Sequence, residues 1–301
     1  MKVLLTGSTG QLGNSIINTK LENIELITTS REQLDLSDQL ACEDFILSKK
    51  PDWVINCAAF TAVDEAEKDI NLSRKINSFA PEAFAKAINK INGNLLHIST
   101  DFVFNGEQNY PYKTTQKTNP INEYGYSKAL GEELIKKKIK NEDNAKILRT
   151  SWVVSPYGKN FVLTMLKLHE QKDTLNVVCD QIGAPTSARH LAEICWKIVT
   201  FKNNSKLPNI LHWSDAGVAS WYDLALAIGD IGIELGILNK KAYVNPIRTI
   251  NYPTPAKRPK YSLLDFQETC EVLNVNPNHW RINLLEIMTE YCQNKNNNEF
   301  I

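Results

Sequence analysis

The chain has 301 residues, 43% of them hydrophobic and 23% charged, a globular composition sufficient for one large or two modest domains. Its 34 Lys and Arg balance 34 Asp and Glu, so it carries no electrostatic footprint for a nucleic acid or an anionic membrane surface. No apolar run approaches the roughly 20 residues of a membrane span, and the six cysteines are scattered, as reduced core or helix residues of a cytoplasmic protein would be.

The first predicted strand, Lys2-Val3-Leu4-Leu5, starts at the N-terminus, so no signal peptide is expected ahead of it. It runs into Thr6-Gly7-Ser8-Thr9-Gly10-Gln11-Leu12-Gly13, and a helical segment follows over residues 11–19. Strand, glycine-rich turn and helix is the order of a dinucleotide-binding unit. Gly7 permits the tight turn, Gly10 lets backbone approach a pyrophosphate, and Gly13 lets helix pack on strand. The helix N-terminus favours the phosphate charge.

Residues 24–28 read as a second strand, 37–49 as a helix ended by Pro51, and 52–56 as a third strand. Residues 72–91 have helical spacing, with Pro81 bending or breaking the helix. A fourth strand is expected at 94–98, a helix at 124–140 and a fifth strand at 145–149. Short apolar strands alternating with helices predict a parallel sheet covered on both faces. With right-handed crossovers this is an α/β, Rossmann-type doubly wound domain over residues 1–150. Residues 151–294 are expected to form mainly a smaller α+β substrate-binding lobe, with segments returning to the first domain. Its helices are predicted at 160–171, 188–201, 220–235 and 281–293, and 295–301 is a polar tail expected to fray.

The second strand ends in Thr28-Thr29-Ser30-Arg31, where a NAD-specific unit would place a carboxylate for the ribose 2′-hydroxyl. Ser30 can hydrogen-bond there, and Arg31 can pair with a 2′-phosphate, which favours NADPH; the alternative is that Arg31 is a solvated loop residue. Asp35 is a candidate for the adenine end of the pocket or, like Ser37, for capping the next helix.

Tyr124 and Lys128 stand four apart and share a helix face. Their helix follows the fourth strand, which ends in Ile98-Ser99-Thr100-Asp101, and active groups gather at the carboxyl ends of parallel strands. Reducing a ketone requires a hydride and a proton. A phenol titrates near 10, and a Lys cation beside it lowers that by about 1–3 units. Tyr124 is therefore expected as the proton donor, with its value depressed by Lys128. Thr100 would hydrogen-bond the carbonyl oxygen, and Ser99, on the opposite side of the strand, is the rival hydroxyl.

On these residues the chain resembles the extended short-chain dehydrogenase/reductases, over residues 1–292. The shared segments include Asn56-Cys57-Ala58-Ala59-Phe60-Thr61-Ala62-Val63-Asp64-Glu65-Ala66-Glu67, Ser99-Thr100-Asp101-Phe102-Val103-Phe104, Arg149-Thr150-Ser151-Trp152 and Asp180-Gln181-Ile182-Gly183-Ala184-Pro185-Thr186. The last is Tyr252-Pro253-Thr254-Pro255-Ala256-Lys257-Arg258-Pro259. The resemblance implies NADPH-dependent reduction of the C4 ketone of dTDP-4-dehydro-L-rhamnose to dTDP-L-rhamnose, a precursor of lipopolysaccharide or cell-wall polysaccharide. It implies that Gln11 and Leu12 lie against the pyrophosphate, that Asp35 and Leu36 take the adenine side, and that Ala58, Ala59 and Thr61 run along the cofactor. Tyr124 is implied as the acid and Lys128 as its partner and ribose ligand. Thr100 and Asp101 are implied to touch the sugar, and Trp152 the substrate; core packing for Trp152 and a strand-end turn for Asp101 are the alternatives. Arg258, a cation in a proline-stiffened loop, is a further candidate for the nucleotide diphosphate.

Members of the family that prefer NADH carry Asp where Ser30 stands, so NADPH is expected, with NADH permitted. Others form dimers through magnesium held by Glu side chains, whereas this chain has Asn14, Ser15 and Arg189 in those regions. No metal site is expected, and the protein is expected to be a monomer or weak homodimer. Two other readings keep the fold. One is a non-catalytic NADP-binding regulatory subunit of the methionine adenosyltransferase type. The other is a nucleotide-sugar epimerase or dehydratase using Asp101 as an extra acid/base group.

Overall fold

The apolar run at the N-terminus becomes β1 (Lys2–Thr6), and the glycine turn delivers α1 (Gln11–Asn18). Next come β2 (Glu25–Thr28), α2 (Gln39–Lys49), β3 (Trp53–Asn56), the short helices α3 (Val63–Ala66) and α4 (Ile70–Arg74), and α5 (Ala80–Ile91). Strand β4 (Asn94–Thr100), helix α6 (Glu123–Lys138) and strand β5 (Ala145–Thr150) complete the first half of this computed structural model. It describes residues 1–296, so 297–301 of the expected tail lie outside the described residues, while 295 and 296 end the helix Trp280–Asn296.

The strands form one parallel sheet in the order β2-β1-β3-β4-β5, with Ile210–His212 added beside β5. The chain leaves β1 to one side for β2 and returns to the other for β3, so the carboxyl ends of β1 and β3 flank a switch point. Period-two alternation sorts the side chains. Val3, Leu5 and Ile55 pack on one face against α1 and the helix Ala188–Val199. Leu4, Val54 and Leu95 pack on the other against α2 and α5. Each such fully buried aliphatic contributes about 1.5–3 kcal/mol. The Rossmann-type doubly wound sheet expected from the sequence is the one found.

A second core joins the helices Phe161–Gln171, Trp221–Glu234 and Trp280–Asn296 to the parallel pair Thr174–Val178 and Tyr243–Ile247. No helix among the described residues is long and apolar enough to cross a membrane.

The helices expected at 124–140 and 188–201 end earlier, at Lys138 and Val199, and two further differences have a local cause. The helix expected from residue 37 starts at Gln39 because Asp38 caps it, accepting from Ala41 N at 3.0 Å. Neither Asp35 nor Ser37 caps it; Asp35 instead accepts from Ser37 N at 2.9 Å in the preceding turn. The helix expected at 72–91 is α4 and α5 joined by a wide π turn, Lys75–Phe79. That turn puts Pro81 in the first turn of α5, where its missing N–H is tolerated. It also carries Asn77, whose amide accepts from Phe60 N at 2.8 Å and donates to Phe60 O at 3.0 Å, fixing the loop after β3.

Candidate active site

A cleft of about 650 Å³ opens at the carboxyl ends of β1, β3 and β4. Gly7 has φ +70°, and a Cβ there would stand 2.6 Å from Ala58 N, so the β1 turn touches the loop after β3. A Cβ on Gly13 would lie 2.1 Å from Gly7 O, which explains how closely α1 seats on the turn. Gly10 opens onto the cleft, and no side chain caps α1. An uncapped helix start behind a glycine wall fits a pyrophosphate. Gln11 and Leu12 line the same wall, Ser30, Arg31, Asp35 and Leu36 another part of the cleft, and Ala58, Ala59 and Thr61 the β3 side. The Ser37 backbone N–H holds the Asp35 carboxyl below its usual range.

Helix α6 brings the remaining groups to the cleft. Asn122 caps it, accepting from Gly125 N at 2.8 Å. Gly125 lets it lie against β4's end, for a Cβ there would be 2.1 Å from Phe102 O. Thr100 Oγ1 accepts from Phe102 N at 3.2 Å and donates to Asp101 Oδ1 at 3.0 Å. Asp101 is 2% exposed, and burial pushes its carboxyl up to about 6 against the Ser262 and Thr100 hydroxyls. Tyr124 meets Phe102 edge-on, with ring centroids 5.7 Å apart.

Lys128 does not depress the Tyr124 phenol as the spacing predicted. Burial pushes that phenol up to about 12, with the Thr100 hydroxyl opposing and Asp101 adding to the rise. The Lys128 ammonium turns to the sheet instead, donating to Ile98 O at 2.6 Å beside His97 Nε2 at 3.3 Å, and burial brings it down to about 8. Ser99 is likewise engaged away from Thr100, donating to Glu132 Oε1 at 2.6 Å.

A second cleft, of about 630 Å³, meets the first at five residues: Thr61, Thr100, Asp101, Tyr124 and Trp152. Trp152 is both packed and cleft-lining. Its backbone is left-handed at φ +44°, its indole stacks on Trp221 at 3.6 Å, and Gly183 is bare beneath it. Arg258 lines only the second cleft. Its guanidinium grips Asp64 at 2.6 and 2.7 Å, so the fork expected for a diphosphate is already spent on a carboxylate. That pairing holds Asp64 below the usual carboxylate range.

Sequence reasoning missed the buried Glu132–Arg149 ion pair, at 2.6 Å, together with His97 and Trp221. Two of these left a signal. Tyr124, Lys128 and Glu132 recur every four residues, a polar stripe on the helix face that meets the sheet. His97 interrupts an apolar strand and must find a polar partner once buried.

A family model described as the RmlD substrate binding domain matches residues 1–293. The chain belongs to that family. It is 39% identical over 296 residues to the spore coat polysaccharide biosynthesis protein SpsK of Bacillus subtilis, covering 98% of each chain. It is 36% identical over 284 residues to the dTDP-4-dehydrorhamnose reductase of Aggregatibacter actinomycetemcomitans, covering 93% of this chain and 96% of that one. The structure of dTDP-4-dehydrorhamnose reductase from Bacillus anthracis in complex with NADP matches this RmlD-family chain with a TM-score of 0.87. That match has 32% identity and covers 96% of this chain and 99% of that one.

Proposed function

We propose that the chain catalyses NADPH-dependent reduction of the C4 ketone of dTDP-4-dehydro-L-rhamnose to dTDP-L-rhamnose. The observation that carries the reading is the junction where Thr100, Asp101, Tyr124 and Trp152 line both the cleft behind the glycine turn and a second cleft at once. Relatives that cover nearly the whole chain and bear the reductase name support it.

When bound, the dinucleotide supplies the hydride; the chain supplies orientation and the proton. Gly7, Gly10, Gln11, Leu12 and Gly13 hold the pyrophosphate at the α1 N-terminus. Ser30 and Arg31 meet the 2′-phosphate, Asp35 and Leu36 the adenine side, and Ala58, Ala59 and Thr61 the middle of the cofactor. Lys128 takes the ribose hydroxyls. Tyr124 donates its phenolic proton to the sugar O4. Burial, which raises the phenol to about 12, keeps it protonated at neutral pH but makes it a weaker acid, so transfer relies on the negative charge that develops on O4. Thr100 hydrogen-bonds the same oxygen, where negative charge develops, and Asp101 holds a neighbouring sugar hydroxyl. The Trp152–Trp221 stack walls the sugar site. Arg258 serves indirectly, holding its loop to Asp64. The protein works in the cytoplasm as a monomer or weak homodimer.

The test is NADPH oxidation with dTDP-4-dehydro-L-rhamnose, with NADH alongside and the product identified by NMR. Stoichiometric dTDP-L-rhamnose is expected. No oxidation of either coenzyme, with tight binding of a methionine adenosyltransferase instead, would replace the reading with the non-catalytic one.

A further inference from the structure

The loop that follows the strand Val153–Val154 is tied to the start of α1. The Gln11 amide joins the two: its nitrogen donates to Val153 O at 3.2 Å, and its oxygen accepts from Ser155 Oγ at 2.9 Å. One helical turn further along α1, the hydroxyls of Ser15 and Tyr157 are hydrogen-bonded to each other. At the far end of the loop the Asn160 amide donates to Ser155 O at 3.0 Å and to Tyr157 O at 3.1 Å. Its oxygen caps the helix Phe161–Gln171, accepting from Leu163 N at 3.1 Å. Gly158 turns the chain at φ +75°, and a Cβ there would meet Gln11 Cγ at 3.5 Å. Gly158 and Lys159 therefore line the cleft together with Thr9, Gly10 and Gln11.

The fold gives Lys159 no partner. Its side chain makes no hydrogen bond or ion pair among the described residues. The carboxylates that line the same cleft, Asp35 and Asp101, are bonded to Ser37 N and to Thr100 Oγ1. Lys159 also stands immediately ahead of the Asn160 cap, at the N-terminal end of an eleven-residue helix, where the helix dipole disfavours a cation. Its charge brings the folded chain no gain.

The cleft has a use for it. A pyrophosphate is anionic, and the α1 start offers it backbone N–H groups with no side-chain cap competing for them. Among the described cations that line the cleft, Arg31 follows β2 and Lys128 is bonded to Ile98 O at the end of β4. Lys159 is the one carried on a segment bonded to α1.

We propose that Lys159 is the cation that meets the pyrophosphate of the dinucleotide, held at the α1 N-terminus by a loop that Gln11 and Ser15 tie down. The inference rests on the reading of this cleft as the dinucleotide site. An ammonium adds a charge-assisted bond to the neutral backbone donors, and its flexible stem lets it follow the phosphate oxygens. Gln11 serves the same end through its side chain, since both ends of its amide are committed to the loop.

Coenzyme affinity of the full chain, read by calorimetric titration without any sugar, tests this. NADPH and NADH share the pyrophosphate and differ in the 2′-phosphate. Lys159→Gln should weaken both by the same factor, about tenfold, and the loss should shrink as salt is raised. Lys159→Arg, which keeps the charge, should retain most of the wild-type affinity. Without coenzyme, Lys159→Gln should melt no lower than wild type, because the charge it removes opposes the helix dipole. Unchanged affinity for both coenzymes would overturn the proposal. A loss confined to NADPH would overturn it too, by moving Lys159 to the 2′-phosphate. So would an equal loss accompanied by a lower melting temperature, which would make Lys159 a residue of the fold. A wild type that binds neither coenzyme would overturn the reading of the cleft, and the inference with it.

Discussion

At the scale of single residues, Asp101 makes the sharpest pH prediction. Its carboxyl titrates at about 6 in the fold against an ordinary 3.8, because burial disfavours the charge. The folded state therefore prefers the protonated form. Its penalty is absent below the ordinary value and grows as pH rises through about 6. Asp101→Asn removes that penalty, so its stability advantage over wild type should widen by about 1–2 kcal/mol between pH 5 and pH 8, read by urea unfolding. The same variant should lose turnover if the carboxylate holds the sugar. Tyr124, Lys128 and Thr100 were legible in the sequence, because a helix opening after a strand end fixes where side chains at that spacing emerge. The direction in which Lys128 points was not legible. Its ammonium meets Ile98 O and His97 on β4, about 30 residues earlier in the chain, and no local pattern encodes how α6 packs on that strand.

At the scale of elements, two glycines of α6 determine how the site closes. Gly125 and Gly131 let the helix press against Phe102 O and Asn77 O, where a Cβ would come within 2.1 and 2.2 Å. Gly125→Ala must push α6 away from the end of β4 and separate Tyr124 from Thr100. We expect about 1–3 kcal/mol of destabilisation with a fall in kcat larger than any change in NADPH affinity, measured by thermal melts, steady-state kinetics and cofactor titration. Strands β1 and β3 were readable because a strand buried on both faces is a short, nearly continuous apolar run. The π turn before Pro81 was not, since its reason lies in Asn77 reaching Phe60.

At the scale of the whole molecule, the second cleft is assembled by contacts between distant chain segments. Arg258 and Asp64 are 194 residues apart, and Asn122 reaches Lys257 O at 2.7 Å. These bonds strap the proline-rich segment to the sheet domain. Asp64→Asn keeps the shape but removes the charge from a bidentate pair. It should raise KM for the nucleotide sugar about tenfold while leaving NADPH affinity unchanged. An equal loss of both would mean that the strap serves the fold in general. The sequence marked Arg258 as a cation in a stiff loop, yet only the folded chain reveals that a carboxylate already occupies it. Trp152 meeting Trp221 is hidden for the same reason.

The central claim is that the Tyr124 phenol gives its proton to the sugar oxygen. It is tested most directly by comparing wild type with Tyr124→Phe in NADPH oxidation driven by dTDP-4-dehydro-L-rhamnose. The expected result is a fall in kcat of about 10²–10⁴-fold with NADPH still bound as tightly as before. Turnover undiminished in the variant would contradict the account.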